Sequence, residues 1–107
     1  NTFKLKTKAN VGVTTVGIYT APAATTTVVI GITMANTSGS GVNVGVGITR
    51  AGTTEDVKLL KNAPIPSGSS LEFMSGNKIV LEATDTVTVD SDTNNSVDAS
   101  LTIMEIT

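Results

Sequence analysis

Short segments in which apolar and polar residues alternate follow one another along the chain. The clearest is the last, residues 96–106, where apolar positions recur at every second residue. These positions are Val97, Ala99, Leu101 and Ile103. Alternation with a period of two places apolar side chains on one face of a β-strand, and no segment keeps a helical period beyond two turns. The pattern predicts an all-β protein.

Two long segments are predicted to be strands in the interior of a sheet. In Thr26–Asn36, the longest β-branched run, four apolar side chains are expected on one face: Val28, Ile30, Ile32 and Met34. In Val42–Arg50 one face is apolar, and the other carries Gly45 and Gly47. Glycine weakens a strand unless something packs closely on it. The two glycines therefore indicate either a twist or bulge, or a neighbouring chain that approaches the backbone.

A proline-containing segment, residues 63–71, divides the chain between two sets of strand-like segments. Pro64 and Pro66 fix their own φ angles and restrict Ile65 to extended geometry. We expect a rigid Greek-key connection rather than a hairpin, with Ile65 filling one end of the core. The other strand candidates are residues 13–20, 55–62, 70–75, 78–82 and 84–90.

Short strands separated by Gly, Pro, Ser and Asn predict the fold. We expect residues 1–107 to form a single antiparallel β-sandwich with eight or nine strands. Its topology is expected to be jelly-roll or immunoglobulin-like. A small β-barrel is the alternative.

The first segment, residues 2–8, alternates two apolar side chains with lysines. We expect Phe3 and Leu5 to face the core and three basic side chains to face away from it: Lys4, Lys6 and Lys8. Charges on an edge strand discourage uncontrolled pairing with other chains. Alternatively, the lysines form a basic strip that docks on an acidic partner.

The residue inventory excludes most catalytic chemistry. The chain has no histidine and no cysteine, which removes imidazole bases, thiol nucleophiles and ordinary zinc sites. The carboxylates are dispersed, and turn composition alone explains Ser67, Ser69 and Ser70. We expect a protein that is not an enzyme and that holds no cofactor.

Charge and aromatic content narrow the expected partners. Charged residues make up 15% of the chain and the net charge is -2, so neither nucleic acid nor an anionic membrane is expected as a partner. Aromatic residues make up only 3% of the chain, which disfavours the binding of glycans or of single-stranded nucleic acid by stacking. So few charges on a small domain indicate either an unusually apolar surface or, the interpretation we favour, other subunits that cover part of it.

One polar segment is similar to the start of a calcium-binding loop. Asp90, Asp92 and Asn94 have the spacing of its first ligands, but Asn95 stands where such loops need glycine. No Glu closes the frame. We expect a polar hairpin tip between the last two strands and no metal site, with a weak calcium site of another kind as the alternative.

Several short motifs are spread over nearly the whole chain. They are residues 3–7, 18–23, 35–37, 60–71, 78–81 and the terminal strand from 97 to 106. Together they resemble small virion structural proteins of tailed bacteriophages, particularly those of marine cyanobacteria. The resemblance is a pattern of turns and strands and carries no catalytic signature.

The resemblance implies a place on the outer surface of a virion. It implies a head decoration (cement) protein, with a tail, neck or fibre component, or a host-surface binding module, as alternatives. The partners would be further copies of the chain, with a trimer as one candidate, and the major capsid protein or another virion protein. Residues 1–9 would form the shell-contacting strand or arm. The residues expected at partner interfaces are Phe3, Lys4, Lys6, Lys8, Gly45 and Gly47.

Overall fold

The computed structural model describes residues 1–73 and 78–107, which form nine β-strands. In chain order they are β1 (Thr2–Val11), β2 (Val16–Thr20), β3 (Thr26–Asn36), β4 (Val42–Arg50), β5 (Glu55–Ile65), β6 (Ser70–Phe73), β7 (Ile79–Leu81), β8 (Thr86–Ser91) and β9 (Val97–Ile106). Within these ranges, no helix is long and apolar enough to cross a membrane.

The strands form two antiparallel sheets that pack face to face. The first sheet has the order β1-β9-β3-β6, with β7 also paired to β3, and the second has the order β2-β8-β4-β5. The predicted sandwich is confirmed, and the chain does not close into the alternative barrel.

The strand order is that of a jelly roll. β6 and β7 pair with opposite ends of β3, while β9 pairs along the whole of its other edge. Counted together, β6 and β7 act as one strand of the first sheet. Consecutive strands then lie in opposite sheets, except for the hairpin β4–β5. Two interleaved sheets of this kind define the jelly-roll topology, rather than the immunoglobulin-like one.

The core lies between the two sheets and follows the predicted alternation in β4 and β9. The apolar positions of both strands are buried: Val42, Val44, Val46, Ile48, Val97, Ala99, Leu101 and Ile103. Both strands are hydrogen-bonded on two sides within their sheets. A strand with neighbours on both sides and one apolar face fits only with that face toward the core.

β3 differs from the prediction in its first half. A bulge between Val29 and Gly31 gives β3 an extra residue relative to β9, and such a residue changes the phase of the alternation. Ile32 and Met34 face the core as predicted. Val28 and Ile30 are instead half-buried on the outer face, so the prediction that all four share one face is wrong.

The proline segment begins later than predicted. β5 continues through Pro64 to Ile65, and it can do so because β5 is an edge strand, where proline needs no ladder hydrogen bond. The chain then crosses from the second sheet to the first over residues 66–69. Ile65 is 1% exposed. Both the crossing and the buried Ile65 confirm the prediction.

The sequence predicts that the strand after the crossing covers residues 70–75. The structure places β6 at Ser70–Phe73. Residues 74 and 75 lie outside the described ranges.

Candidate interaction surface

β1 lies at one edge of the first sheet, and its two faces are opposite to the prediction. Phe3 and Leu5 are 70% and 65% exposed, because the register pairs them with the outer-face residues Met104 and Thr102 of β9. The other face of β1 opposes inward-facing residues of β9 and carries three lysines: Lys4, Lys6 and Lys8. The prediction that Phe3 and Leu5 face the core is wrong.

The lysines can occupy the inner face because most of β1 remains exposed to solvent. A lysine stem covers apolar surface while its ammonium group stays in water. Lys6 lies over the ring of Tyr19, with its Nζ atom 6.0 Å from the ring centroid. Inward-pointing charges are one of the ways in which proteins protect an edge strand from uncontrolled pairing.

Lys4 belongs to a polar cluster that joins the two sheets. Its Nζ atom is 2.9 Å from Oε1 of Glu105. The Tyr19 hydroxyl donates to Oε2 of Glu105 over 2.6 Å, and it lies 2.8 Å from Oγ1 of Thr27. Because the single hydroxyl proton of Tyr19 goes to the carboxylate, Thr27 is the donor in the second contact. The cluster links β1, β9 and β3 of the first sheet to β2 of the second.

The cluster shifts the pKa values of its two acidic groups in opposite directions. The hydrogen bonds from Lys4 and then from Tyr19 lower the pKa of Glu105. Burial, followed by the hydrogen bond to Glu105, raises the pKa of Tyr19 to about 12. The cluster is therefore stable with Glu105 ionised and Tyr19 neutral, and an ionised carboxylate accepts stronger hydrogen bonds than a neutral one.

An apolar row crosses the outer face of the first sheet. Phe3 pairs with Met104, Met104 with Val28, and Val28 with Val80. Cross-strand partners share a face, so the four side chains lie side by side on four strands, and we call them the outer apolar row. Its two ends, Phe3 and Val80, are 70% and 59% exposed. Exposed apolar side chains that lie together in this way make the row a candidate docking surface.

Gly45 and Gly47 lie in the second sheet and do not join the surface formed by β1. A Cβ atom on Gly45 would lie 2.6 Å from Oδ1 of Asp90, and one on Gly47 would lie 2.9 Å from the carbonyl oxygen of Val57. The pairing of β4 with β5 is irregular at these glycines. The irregular pairing agrees with the twist or bulge that the sequence predicts as one explanation for the two glycines. The other explanation, contact with another chain, stays a prediction.

The calcium-like segment connects the two sheets, so the prediction of a hairpin tip there is wrong. Its side chains bind separate segments. The Asp90 carboxylate accepts a hydrogen bond from the Thr15 hydroxyl. The Asp92 carboxylate accepts one from the backbone N–H of Asn43, and the side-chain oxygen of Asn94 accepts one from the backbone N–H of Val13. Among the described residues, no group of three or more acidic side chains is arranged to hold a metal ion.

Sequence reasoning missed the polar cluster and the outer apolar row. One signal for the cluster is present in the sequence, because Glu105 occupies the next inward position after Ile103 in an otherwise apolar face. A carboxylate at such a position calls for a cationic or hydroxyl partner. The row carries no sequence signal, because it joins residues of four strands whose order only the folded chain defines.

The fold is similar to two solved structures at low sequence identity. One is a chain of the T13 IBDV viral particle, an icosahedral virus, with a TM-score of 0.53 and 14% identity over 95% of this chain. This chain spans 30% of the length of that chain. The other is a chain of Bacillus endospore appendages, which are disulfide-linked pili, with a TM-score of 0.52 and 18% identity. It matches over 99% of this chain and 88% of its own length.

No protein-family model and no curated protein sequence matches the chain. At identities this low, the two structural similarities establish the class of fold, a β-sandwich that occurs in a viral particle protein and in an appendage protein.

Proposed function

We propose that the chain is a structural protein without catalytic activity, and that it covers the outer surface of a bacteriophage head as a decoration protein. The observation that carries this proposal is the outer apolar row beside the exposed strand β1. On a small domain with so few charged residues, such an exposed row indicates a site of interaction with another molecule. In an assembled particle, a neighbouring subunit would cover it.

The two similar structures support an assembled role in general terms. One comes from a viral particle and the other from pilus appendages. The resemblance to virion structural proteins of tailed bacteriophages favours the phage head among these settings. There, β1 would contact the major capsid protein, and copies of the chain would form a symmetric oligomer, with a trimer as one candidate.

Electron cryo-microscopy of the intact phage particle tests the placement. The expected result is density of this jelly roll over the head lattice. Density at the tail, neck or fibres would replace the head role by a tail role. Absence of the chain from purified particles would overturn the structural role in both forms.

Substitutions at β1 test whether it is the contact. Phe3→Ser combined with Leu5→Ser is expected to lower occupancy on the particle, because the pair supplies the exposed apolar side chains of β1. Val57→Ser, at an exposed valine of β5 in the other sheet, is the matched control. Unchanged occupancy of the double variant would remove β1 as the contact.

Light scattering of the purified chain over a range of concentrations tests the oligomer. Association into a closed symmetric species, either in solution or on the particle, is expected. A strict monomer that binds neither head nor tail preparations would overturn the proposal.

A further inference from the structure

The free edge of β1 is a row of unused backbone hydrogen-bonding groups. β1 spans ten residues and pairs with β9 along one side. On its other side it pairs with no strand in the described part of the chain. Every second residue of such an edge directs its N–H and C=O groups outward. These groups can pair with an extended segment of another molecule.

The two faces of this edge differ in chemistry. The outer face carries Phe3 and Leu5, and the inner face carries the three lysines. Lys4 is neutralised by Glu105 at 2.9 Å. Within residues 1–73 and 78–107, Lys6 and Lys8 form no ion pair. Among the described residues, the edge therefore offers two positive charges outside any ion pair, two residues apart, on one face, and apolar side chains on the other.

A second copy of β1 does not fit this edge. In an antiparallel pair of identical strands related by a two-fold axis, the inner faces coincide, so every register that pairs more than five residues of β1 sets a lysine opposite a lysine. Like charges directly opposite each other destabilise a strand pair. The occupant must instead carry negative charge where the lysines face it.

We propose that the free edge of β1 binds an extended segment of another protein that alternates acidic and apolar residues. Two carboxylates, two residues apart, would lie opposite Lys6 and Lys8. The apolar residues of the segment would lie on the outer face beside Phe3 and Leu5, where they would lengthen the outer apolar row by one strand. Backbone hydrogen bonds would supply affinity, and the charge pattern would select the partner.

The setting of this inference, in which the segment belongs to a capsid protein, rests on the proposed function. The chemistry of the edge does not. If particles lack the chain but the peptide described below binds, the proposed function fails and the inference stands. If the chain decorates particles but the peptide does not bind, the inference alone fails.

The test uses the 107-residue chain, isotopically labelled for nuclear magnetic resonance, and a seven-residue peptide of alternating Glu and Val. Amide shifts are expected to be largest over residues 2–8, with slower hydrogen exchange at every second amide of that range. The comparison peptide has the same composition, with its glutamates in one block and its valines in another. It is expected to bind more weakly, because it cannot place both kinds of side chain on their matching faces.

A charge reversal measures how much the lysines contribute to binding of the alternating peptide. Lys8→Glu is expected to weaken binding of the alternating peptide by roughly threefold to tenfold, from the loss of one opposite-charge pair and the gain of a like-charge pair. Lys61→Glu makes the same change of charge at an exposed residue of β5 and is expected to leave binding unchanged. Amide spectra that are unaltered beyond the immediate neighbours of each substitution would show that both variants fold.

Three results would overturn the inference. The first is the absence of peptide-induced shifts in β1. The second is equal binding of the alternating and block peptides. The third is an equal loss of affinity in the two charge variants, since attraction to net charge alone would then explain the binding.

Discussion

The Tyr19 hydroxyl links the two sheets through a single pair of hydrogen bonds. Its partner Glu105 is held ionised by Lys4, so one lysine of an exposed edge strand stabilises a contact in the core. Each member of the cluster lies on a different strand, and the loss of one removes a partner from its neighbour in the chain of contacts Lys4–Glu105–Tyr19–Thr27. Such networks make large contributions only when every polar group is satisfied.

The raised pKa of Tyr19 predicts a loss of stability at alkaline pH. The unfolded chain releases the tyrosine proton near pH 10, while the folded chain keeps it to about pH 12. The free energy of unfolding is therefore expected to fall by about 1.4 kcal/mol per pH unit between these values. Tyr19 is the only tyrosine, so tyrosinate absorbance measures its titration directly.

Tyr19→Phe is the control for this prediction. It is expected to cost about 1 kcal/mol at neutral pH, because Glu105 loses a donor, and to reduce the alkaline dependence. A folded-state midpoint near the ordinary value for tyrosine would contradict the prediction.

The two glycines of β4 predict a graded effect of added methyl groups. In Gly47→Ala the new Cβ atom would lie 2.9 Å from the carbonyl oxygen of Val57, and a backbone atom cannot rotate away. We expect a loss of about 1–3 kcal/mol in the free energy of unfolding, measured by denaturant titration. In Gly45→Ala the tightest contact is with the Asp90 side chain, which can rotate at the expense of its hydrogen bond to Thr15. A smaller loss, about 1 kcal/mol, is expected.

Gly52→Ala is the matched control, because a Cβ atom there meets nothing within 4 Å. Its expected change is within about 0.5 kcal/mol. Similar values for Gly47→Ala and Gly52→Ala would show that β4 does not pack against β5 as described.

At the scale of the strand, β1 shows why alternation alone does not assign a face. Its apolar and basic residues alternate as regularly as those of β9, yet the apolar face points outward. A central strand is covered on one face by the other sheet, so its apolar face has one favourable orientation. Most of β1 is exposed on both faces, and lysine stems can cover its inner side. The register with β9 therefore decides which face of β1 points toward the core.

This inversion predicts that Leu5 contributes little to stability. Leu5→Ser is expected to change the free energy of unfolding by less than about 0.5 kcal/mol, as for an exposed position. Leu101→Ala, at a fully buried position of β9, is expected to cost about 2–5 kcal/mol. Denaturant unfolding of the two variants under the same conditions makes the comparison, and comparable losses would restore the predicted inward orientation of Leu5.

At the scale of the whole molecule, the jelly roll sets a hierarchy of local stability. β9 and β3 lie inside the first sheet, and β1 and β5 lie at edges. We expect amide hydrogen exchange to be slowest in β9 and β3, which open only on global unfolding, and fastest in β1 and β5, which open locally. Protection of β1 equal to that of β9 in the isolated chain would mean that its edge is already paired.

The sequence by itself determined much of this protein. It determined the all-β class, the sandwich, the positions of most strands, the inward faces of β4 and β9, and the burial of Ile65 at the crossing. These features follow from the period-two alternation of well-covered strands and from the stiffness of proline, both of which are local properties of the chain.

Only the tertiary structure decided the strand order, the phase change in β3, the orientation of β1 and the link between Tyr19 and Glu105. Each of these features depends on which strands are neighbours and in what register they pair, so the sequence of one segment does not determine it. The candidate surface belongs to this second group, since Phe3, Met104, Val28 and Val80 become neighbours only across four paired strands. Phe3 and the lysines were singled out from the sequence, but the register places them on the faces opposite to those predicted.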